Sequence, residues 1–242
     1  MKLSIIVPVV NEKATVKKLL DSVLSVSITG IQKEIIVVEG ASTDGTREIV
    51  RGYEGRPGVS VIYEQAPRGK GAAVRAGLGP ASGELLLVQD GDLEYDVSDY
   101  GAVLKPLLDG KADVVLGSRV LRSPQSWQFR RFAGLERISG FFVNLGGVLF
   151  TRLFNFLYGT RLSDGATMFK VFRVADLKPL VLKSDGFDYD WELIAKLSKK
   201  GARFAEVPVS YKARGRAEGK KIRFWRDGWR VMAAILRYRF VD

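Results

Sequence analysis

The sequence predicts an α/β fold in which a mostly parallel sheet is flanked by helices. Short apolar runs typical of buried strands alternate with segments of helical periodicity through the first 120 residues. This alternation requires right-handed crossover connections, which place helices on both faces of a doubly wound sheet. In addition, acidic residues directly follow the apolar run 85–88, at the kind of strand end where open α/β sheets bind ligands.

Taken in order, the elements of the first half are five strands and three helices. Each strand is a run of mainly apolar residues, expected at 3–9, 34–38, 59–64, 84–88 and 114–117. Helices are expected between the strands, at 14–26, 47–53 and 71–79. In the first helix the apolar residues recur at helical spacing, at Val16, Leu19, Leu20, Val23 and Leu24.

The second half contains two long amphipathic segments. The stretch 138–158 is apolar except for small or polar residues every three to four positions, and it predicts a helix that is either buried or lies in a membrane interface. In 222–240, arginines and tryptophans occupy neighbouring stripes of a helix, which favours contact with an anionic lipid surface. No linker or repeat divides the chain, so we expect one domain over 1–242, with halves at 1–120 and 121–242.

The composition narrows the chemistry that the protein can perform. The chain has 242 residues and neither cysteine nor histidine, which excludes disulfides, thiolate metal sites, a cysteine nucleophile and the commonest general base. Of the net charge of +11, most lies in residues 199–242, which hold 13 Lys and Arg against 4 Asp and Glu. This distribution predicts an anionic partner for the carboxyl-terminal segment. The apolar run at the amino terminus is too short for a signal peptide, and a cytoplasmic location is expected.

The acidic turn at 89–96 (QDGDLEYD) is the most informative motif of the chain. Asp90 and Asp92 cannot neutralise each other, so they require a cation. Hard carboxylate oxygens suit Mg²⁺ or Mn²⁺, which keep other coordination positions for water and phosphate oxygens. Taken alone, the motif also fits a solvated acidic turn; the other motifs of the chain favour a metal site.

Several separated segments share their order with a known family. In the first half they are 4–12 (SIIVPVVNE), 37–46 (VVEGASTDGT), 68–73 (RGKGAA), 89–92 (QDGD) and 117–119 (GSR). Together they resemble the inverting family-2 glycosyltransferases, which have the Rossmann-like GT-A fold. Later segments narrow the resemblance to the dolichyl-phosphate or polyprenyl-phosphate mannose or glucose synthase branch; they are 163–165 (SDG), 206–211 (EVPVSY), Arg214 and 218–222 (EGKKI).

The resemblance implies a donor site along the strand ends. The residues expected to contact the nucleotide sugar are Pro8, Val10, Glu12, Val38, Glu39, Lys70, Asp90, Gly91, Asp92, Arg214 and Lys220. Asp90, Asp92 and Glu94 are expected to hold Mg²⁺ or Mn²⁺, which neutralises the departing nucleoside diphosphate. The family usually has two consecutive aspartates where this chain has Glu39 and Gly40, so the base of the donor stays open.

The resemblance also implies an acceptor site. Arg119, Arg131 and Arg137 are expected to bind the acceptor phosphate, because guanidinium groups suit bidentate contact with phosphate. The candidate catalytic residues are Asp92, Arg119 and Asp164. A hydroxyl acceptor would require a general base such as Asp190 or Glu192, whereas a phosphate acceptor, with a second pKa of about 6, is largely ionised at neutral pH.

The implied activity is transfer of a hexose from GDP-mannose or UDP-glucose to a polyprenyl or dolichyl phosphate, with inversion. The expected partners are the nucleotide sugar, the lipid phosphate and the cytoplasmic face of a membrane, bound peripherally, alone or with a membrane protein. No nucleic-acid module is recognised, so nucleic acid is not expected as a partner. Two alternatives stay open: a family-2 enzyme that acts on a soluble glycan or hydroxyl acceptor, and a nucleotide-sugar-binding sensor without turnover.

Overall fold

A computed structural model of the chain describes residues 1–122, 136–215 and 224–241. Within these residues, seven strands form one sheet. The strands are β1 (Lys2–Val9), β2 (Gln32–Glu39), β3 (Val59–Tyr63), β4 (Leu85–Val88), β5 (Val114–Ser118), β6 (Lys170–Arg173) and β7 (Phe204–Pro208). Their order across the sheet is β3-β2-β1-β4-β6-β5-β7. Every neighbouring pair is parallel except the two that involve β6, which confirms the mostly parallel sheet.

Eight helices accompany the strands in the described parts of the chain. They are α1 (Val16–Ser25), α2 (Thr46–Arg51), α3 (Lys70–Leu78), α4 (Tyr100–Leu108), α5 (Glu136–Tyr158), α6 (Val174–Leu177), α7 (Tyr189–Lys199) and α8 (Phe224–Phe240). The elements predicted for the first half are confirmed within a few residues at their ends. The sequence interpretation missed three helices, α4, α6 and α7, and two strands, β6 and β7. The two strands lack a clear apolar run because they are short and carry charged residues.

The sheet separates two hydrophobic cores. Successive strand residues point to opposite faces, so that Ile5 packs in one core and Ile6 in the other. One core contains the apolar faces of α1 and α4, and the other contains those of α3, α7 and α8 together with Phe154 of α5. Both faces of the sheet are therefore covered, which explains the unbroken apolar run of β4, whose four residues are all buried.

Helix α5 buries several of its uncharged polar residues and leaves much of its apolar surface exposed. Asn144 and Thr151 are buried, whereas Phe156 is 85% exposed and Phe142 and Leu149 are also exposed. Its segment Gly140–Tyr158 is long and apolar enough to cross a membrane, and only 22% of the apolar window is buried. The sequence predicted either a buried helix or a helix in a membrane interface. A helix with this much exposed apolar surface is not a buried one.

The inward polar side chains of α5 shape the loop that follows the helix. Asn155 donates from Nδ2 to the carbonyl of Leu162 at 2.8 Å and accepts the Leu162 N–H at 2.9 Å. Thr151 accepts the N–H of Gly165 at 3.2 Å. These contacts fix the backbone on both sides of Asp164, so the polar stripe positions a predicted site residue.

Candidate active site

Three carboxylates, those of Glu12, Asp92 and Glu94, surround the guanidinium of Arg214 at the carboxyl edge of the sheet. Glu12 follows β1, and Asp90, Asp92 and Glu94 follow β4. Arg214 donates to Oδ2 of Asp92 at 2.7 Å and to Oε2 of Glu12 at 2.8 Å. Its backbone N–H donates to Oε1 of Glu94 at 2.9 Å. An arginine from the segment after β7 thus holds a positive charge against the carboxylate predicted to bind a metal ion.

The environment of Asp92 favours its neutral form. Burial raises the pKa of this carboxyl to about 7, and the negative charges of Asp90 and Glu94 act in the same direction, partly offset by Arg214. At neutral pH the protonated form of Asp92 is therefore much more populated than in an ordinary aspartate. A further cation beside it would favour the ionised form.

Asp90 has a different cationic partner, Lys70 at the first position of α3. The ammonium group donates to Oδ1 of Asp90. Burial alone would lower the pKa of Lys70, but the charges of Asp90 and Asp190 outweigh it and raise the pKa. Lys70 therefore stays charged. Gly71, the next residue, donates its N–H to the carbonyl of Asp185 at 2.8 Å, and a Cβ there would lie 2.3 Å from the carbonyl oxygen of Ser184, so only glycine allows this close approach.

The carboxylates fit a divalent cation in their chemistry, although they are not gathered into a cage. Among the described residues, no three carboxylates converge as a preformed metal site. Asp90 faces Lys70, Asp92 faces Arg214, and Glu94 binds the hydroxyl of Tyr211 at 2.7 Å. Mg²⁺ needs only one or two protein carboxylates when phosphate oxygens and water complete its shell, so Asp92 and its neighbours meet that requirement.

Arg119 follows β5 and forms a buried ion pair with Asp164. Its Nε and Nη2 atoms donate to the two carboxylate oxygens at 2.7 Å each, and its backbone N–H donates to Oδ2 at 3.0 Å. Burial alone would lower the pKa of Arg119, but Asp164 raises it well above the ordinary value. The structure thus joins two predicted catalytic residues and holds Arg119 charged in a buried setting.

An apolar cavity of about 120 Å³ lies beside Arg119, between α5, α7 and α8. Phe150, Trp191 and Val231 contribute apolar walls, and the carboxylates of Asp190 and Asp227 also belong to the lining. Oδ1 of Asp190 pairs with Lys170 at 3.0 Å, whereas Oδ2 is buried without a hydrogen-bond partner. The lining of the cavity therefore combines charged side chains, including Arg119 and Asp190, with apolar walls.

At the other side of the edge, the ends of β2 and β3 hold two glutamates. Glu39 is fully buried; Oε2 pairs with Nε of Arg47 at 2.5 Å, and Oε1 accepts the N–H of Ser42 at 2.6 Å. Burial would raise the pKa of Glu39, but the contacts with Ser42 and Arg47 outweigh it and lower the pKa. Glu64, directly after β3, is 9% exposed, and its Oε1 is buried without a hydrogen-bond partner.

The remaining predicted donor residues lie along the same edge. Pro8 and Val10 are at the end of β1, and Gly91 packs so tightly that a Cβ would lie 2.8 Å from Cγ1 of Val9. The side chain of Val38 is fully buried in a core, so that only its backbone faces the edge. The sequence interpretation had assigned no role to Glu64, Arg47 or Lys170. For Glu64, its place just after a strand was the available signal.

Some predicted residues lie outside the described residues. Arg131 precedes α5, and Lys220 precedes α8, in stretches that are not described. The side chain of Arg137 is not described either, although its backbone belongs to α5. The predicted contacts of Arg131 and Arg137 with the acceptor phosphate, and of Lys220 with the nucleotide sugar, stay predictions.

The comparisons with known proteins agree with the fold and the motifs. Residues 4–180 match the glycosyl transferase family 2 domain. The chain is 26% identical to glycosyltransferase AglJ of Haloferax volcanii over 96% of this chain and 70% of the relative. It is 27% identical to dodecaprenyl-phosphate galacturonate synthase of Rhizobium johnstonii and 27% identical to dolichol-phosphate mannosyltransferase of Pyrococcus furiosus, covering 88% and 91% of this chain. The chain spans 60% and 59% of the lengths of these two relatives.

Solved structures show the same architecture. Glucosyl-3-phosphoglycerate synthase of Mycobacterium tuberculosis, in complex with Mn²⁺, UDP and glucosyl-3-phosphoglycerate, matches with a TM-score of 0.69 and 18% identity, over all of this chain and 81% of that one. The same enzyme with Mg²⁺ and UDP matches with a TM-score of 0.71 and 18% identity, over all of this chain and 80% of that one. These likenesses establish the GT-A arrangement of the sheet.

Proposed function

The chain belongs to glycosyl transferase family 2, and we propose that it transfers a hexose from a nucleotide sugar to a polyprenyl phosphate with inversion. The observation that carries the proposal is the buried, charged guanidinium of Arg119 in the lining of an apolar cavity. A buried cation beside apolar walls suits a ligand that joins a phosphate to a hydrocarbon chain. The names of two relatives, a dodecaprenyl-phosphate galacturonate synthase and a dolichol-phosphate mannosyltransferase, support this acceptor class.

The donor would lie along the edge formed by β3, β2, β1 and β4. Its diphosphate would lie near Asp92, where Arg214 and Lys70 supply positive charge. Asp92, assisted by Asp90, would hold a divalent cation that neutralises charge on the leaving diphosphate. Arg214 would exchange its present contacts with Asp92 and Glu12 for phosphate oxygens, so that donor binding couples to the segment after β7.

On the acceptor side, an oxygen of the lipid phosphate would attack the anomeric carbon as the bond to the nucleoside diphosphate breaks. The attacking group carries its own negative charge, because the second pKa of a phosphomonoester is about 6. No proton has to be removed from it by the protein. Arg119 would bind this charge while Asp164 fixes the guanidinium through two hydrogen bonds.

Helices α5 and α8 would bring the protein to the lipid. The outward face of α8 exposes Trp229 and Phe240, and Arg230, Arg237 and Arg239 are exposed on the same helix. Aromatic rings and cationic side chains together suit the headgroup region of an anionic membrane. Arg152, exposed in the middle of α5, favours a position in the interface over a crossing. We propose peripheral binding to the cytoplasmic face, alone or with a membrane protein.

Asp190 supports a second candidate function, transfer to a hydroxyl acceptor. Asp190 lines the cavity, and its Oδ2 atom is buried without a hydrogen-bond partner. Such an oxygen is able to accept a proton from an acceptor hydroxyl, as a general base does. Glu192, the other predicted base, accepts the N–H groups of Lys183 and Ser184 and pairs with Lys196. These contacts tie the loop before α7 to the helix and give Glu192 a structural role.

A transfer assay tests the proposal and separates the two acceptors. The protein is incubated with radiolabelled nucleotide sugars, Mn²⁺ and either a short polyprenyl phosphate or soluble glycans. We expect labelled lipid from the wild type and from Asp109→Ala, a surface control, and none from Asp92→Ala. Asp190→Asn should keep transfer to the lipid phosphate. Label only in soluble glycan, with loss in Asp190→Asn, would establish the hydroxyl acceptor instead, and donor binding without any turnover would indicate a sensor.

A further inference from the structure

We propose that Glu64 reads the base of the donor and selects guanine, so that the donor is a GDP-sugar. The inference rests on the proposed function for the presence of a nucleotide at this edge. It adds which nucleotide is bound and which side chain discriminates.

The position of Glu64 places its carboxylate at the outer end of the donor site. Its N–H continues the ladder between β3 and β2 by donating to the carbonyl of Glu39 at 2.8 Å. A Cβ built on Gly40 would lie 3.4 Å from Oε2 of Glu64 and 2.4 Å from Cγ2 of Val10. The carboxylate therefore lies over the end of β2, beside the end of β1, where parallel strands of such sheets present their ligands.

The distance from Asp92 fits the length of a nucleotide. Glu64 follows β3 and Asp92 follows β4, and these strands are three positions apart in the order β3-β2-β1-β4. At about 4.8 Å per strand the separation is about 14 Å. An extended nucleoside diphosphate spans a comparable distance between its base and its terminal phosphate. A diphosphate near Asp92 therefore brings the base to Glu64.

The carboxylate of Glu64 lacks a hydrogen-bond donor for one of its oxygens. Its Oε1 atom is buried without a partner, and burial, Asp185 and Glu39 raise its pKa against the effect of Arg68. A buried carboxylate without donors is unfavourable unless a ligand supplies them. Glu39 is the nearby alternative, but both of its oxygens already accept hydrogen bonds from Arg47 and Ser42.

Guanine is the base that best supplies these donors. Its Watson–Crick edge presents two adjacent donors, N1–H and the N2 amino group, which match the two oxygens of one carboxylate. Uracil presents a single N3–H between two carbonyl oxygens, which a carboxylate repels. Adenine and cytosine each present one amino group beside a ring-nitrogen acceptor. A site built to accept two hydrogen bonds rejects ligands that lack the donors, because the buried acceptor is then left unpaired.

The substitution Glu64→Gln turns this argument into a test. The amide keeps the shape but offers one acceptor and one donor, which suit uracil better than guanine. Calorimetry would measure binding of GDP and UDP, each with Mn²⁺, to the wild type, to Glu64→Gln and to Glu48→Gln. Glu48 is an exposed residue of α2 and serves as the control for loss of a negative charge.

We expect the wild type and Glu48→Gln to prefer GDP. In Glu64→Gln, loss of one charge-assisted hydrogen bond should weaken GDP binding by about 10- to 100-fold, while UDP binding stays equal or becomes tighter. Equal or tighter binding of UDP by the wild type would overturn the inference, as would equal losses for both nucleotides in a folded Glu64→Gln. If that variant does not fold by circular dichroism, the preference of the wild type decides.

Transfer assays distinguish this inference from the proposed function. Labelled lipid from a UDP-sugar but not from a GDP-sugar would overturn the role of Glu64 and keep the transferase. Selective binding of GDP without transfer to polyprenyl phosphate would keep the role of Glu64 and overturn the acceptor. Binding of neither nucleotide would overturn both.

Discussion

At the residue scale, Asp92 illustrates how a binding site reduces stability. Its carboxyl lies near the negative charges of Asp90 and Glu94, and the guanidinium of Arg214 offsets their effect only in part. Burial raises its pKa to about 7, well above the ordinary range of an aspartate. The folded protein therefore binds a proton that the unfolded chain has lost, so this group favours folding at low pH and loses that contribution as the pH rises towards 7.

The first prediction concerns this pH dependence. Between pH 5 and pH 8, ionisation of Asp92 should lower the free energy of unfolding of the metal-free protein by about 2 kcal/mol. Asp92→Asn cannot ionise, so its free energy of unfolding should fall less over the same range. Urea unfolding in EDTA at both pH values measures the difference. Identical pH dependence in the two proteins would contradict the raised pKa.

The second prediction concerns Arg214, which holds a positive charge where a metal ion is expected. Arg214→Gln removes the competing charge from Asp92 and Glu12. Binding of Mn²⁺ without nucleotide should therefore become about 10-fold tighter, or about 1.4 kcal/mol. Electron paramagnetic resonance of free Mn²⁺ measures the affinity.

Arg203→Gln is the matched control, because Arg203 forms a surface ion pair with Asp113. Its Mn²⁺ affinity should equal that of the wild type. Weaker or unchanged binding in Arg214→Gln would show that Arg214 does not compete with the metal. In both variants the nucleotide-free protein is measured, so the result does not depend on catalysis.

At the scale of elements, α5 shows why periodicity alone does not reveal which side of a helix faces the core. Its sequence predicts an apolar helix with a narrow polar stripe, and this is confirmed. The usual expectation would place the apolar side inwards. In the structure Asn144 and Thr151 face inwards together with Phe154, whereas Phe156 faces outwards; the polar residues on the inner side serve the loop around Asp164, which needs polar partners.

The third prediction tests the outward faces of α5 and α8. Phe156→Ser and Trp229→Ser should each weaken binding to vesicles that contain anionic lipid by about 10-fold, because each removes a large apolar side chain from the contact. Vesicle co-sedimentation measures the binding. The free energy of unfolding should change by no more than about 0.5 kcal/mol, as is usual for exposed residues.

Val181→Ser is the control for this experiment. Val181 is 70% exposed but lies outside both helices. If it weakened vesicle binding as much as the α5 and α8 variants do, general hydrophobicity and not these two faces would explain the binding.

At the scale of the whole molecule, β6 joins the two halves of the chain. It lies between β4 and β5 and is antiparallel to both. Without it, β5 would lack its link to the four strands formed before residue 90. The halves 1–120 and 121–242 therefore share one sheet, and neither has a complete one.

The fourth prediction is that the chain unfolds as one unit. All four tryptophans lie after residue 120, so their fluorescence reports on the second half, whereas far-UV circular dichroism reports on the whole chain. Because both halves share the sheet, the two signals should follow the same urea transition. Two separated transitions would mean that the halves fold independently.

The sequence by itself determined the elements of the first half and the place of Asp90 and Asp92 at the end of a strand. Apolar runs and helical spacing are local, and a strand end can be located from them alone. The tertiary structure decided which charges meet. Arg214 reaches Asp92 across 122 positions, Arg119 pairs with Asp164, and the Oε1 atom of Glu64 is buried without a hydrogen-bond donor. Such pairings depend on which strands become neighbours, and local patterns do not contain that information.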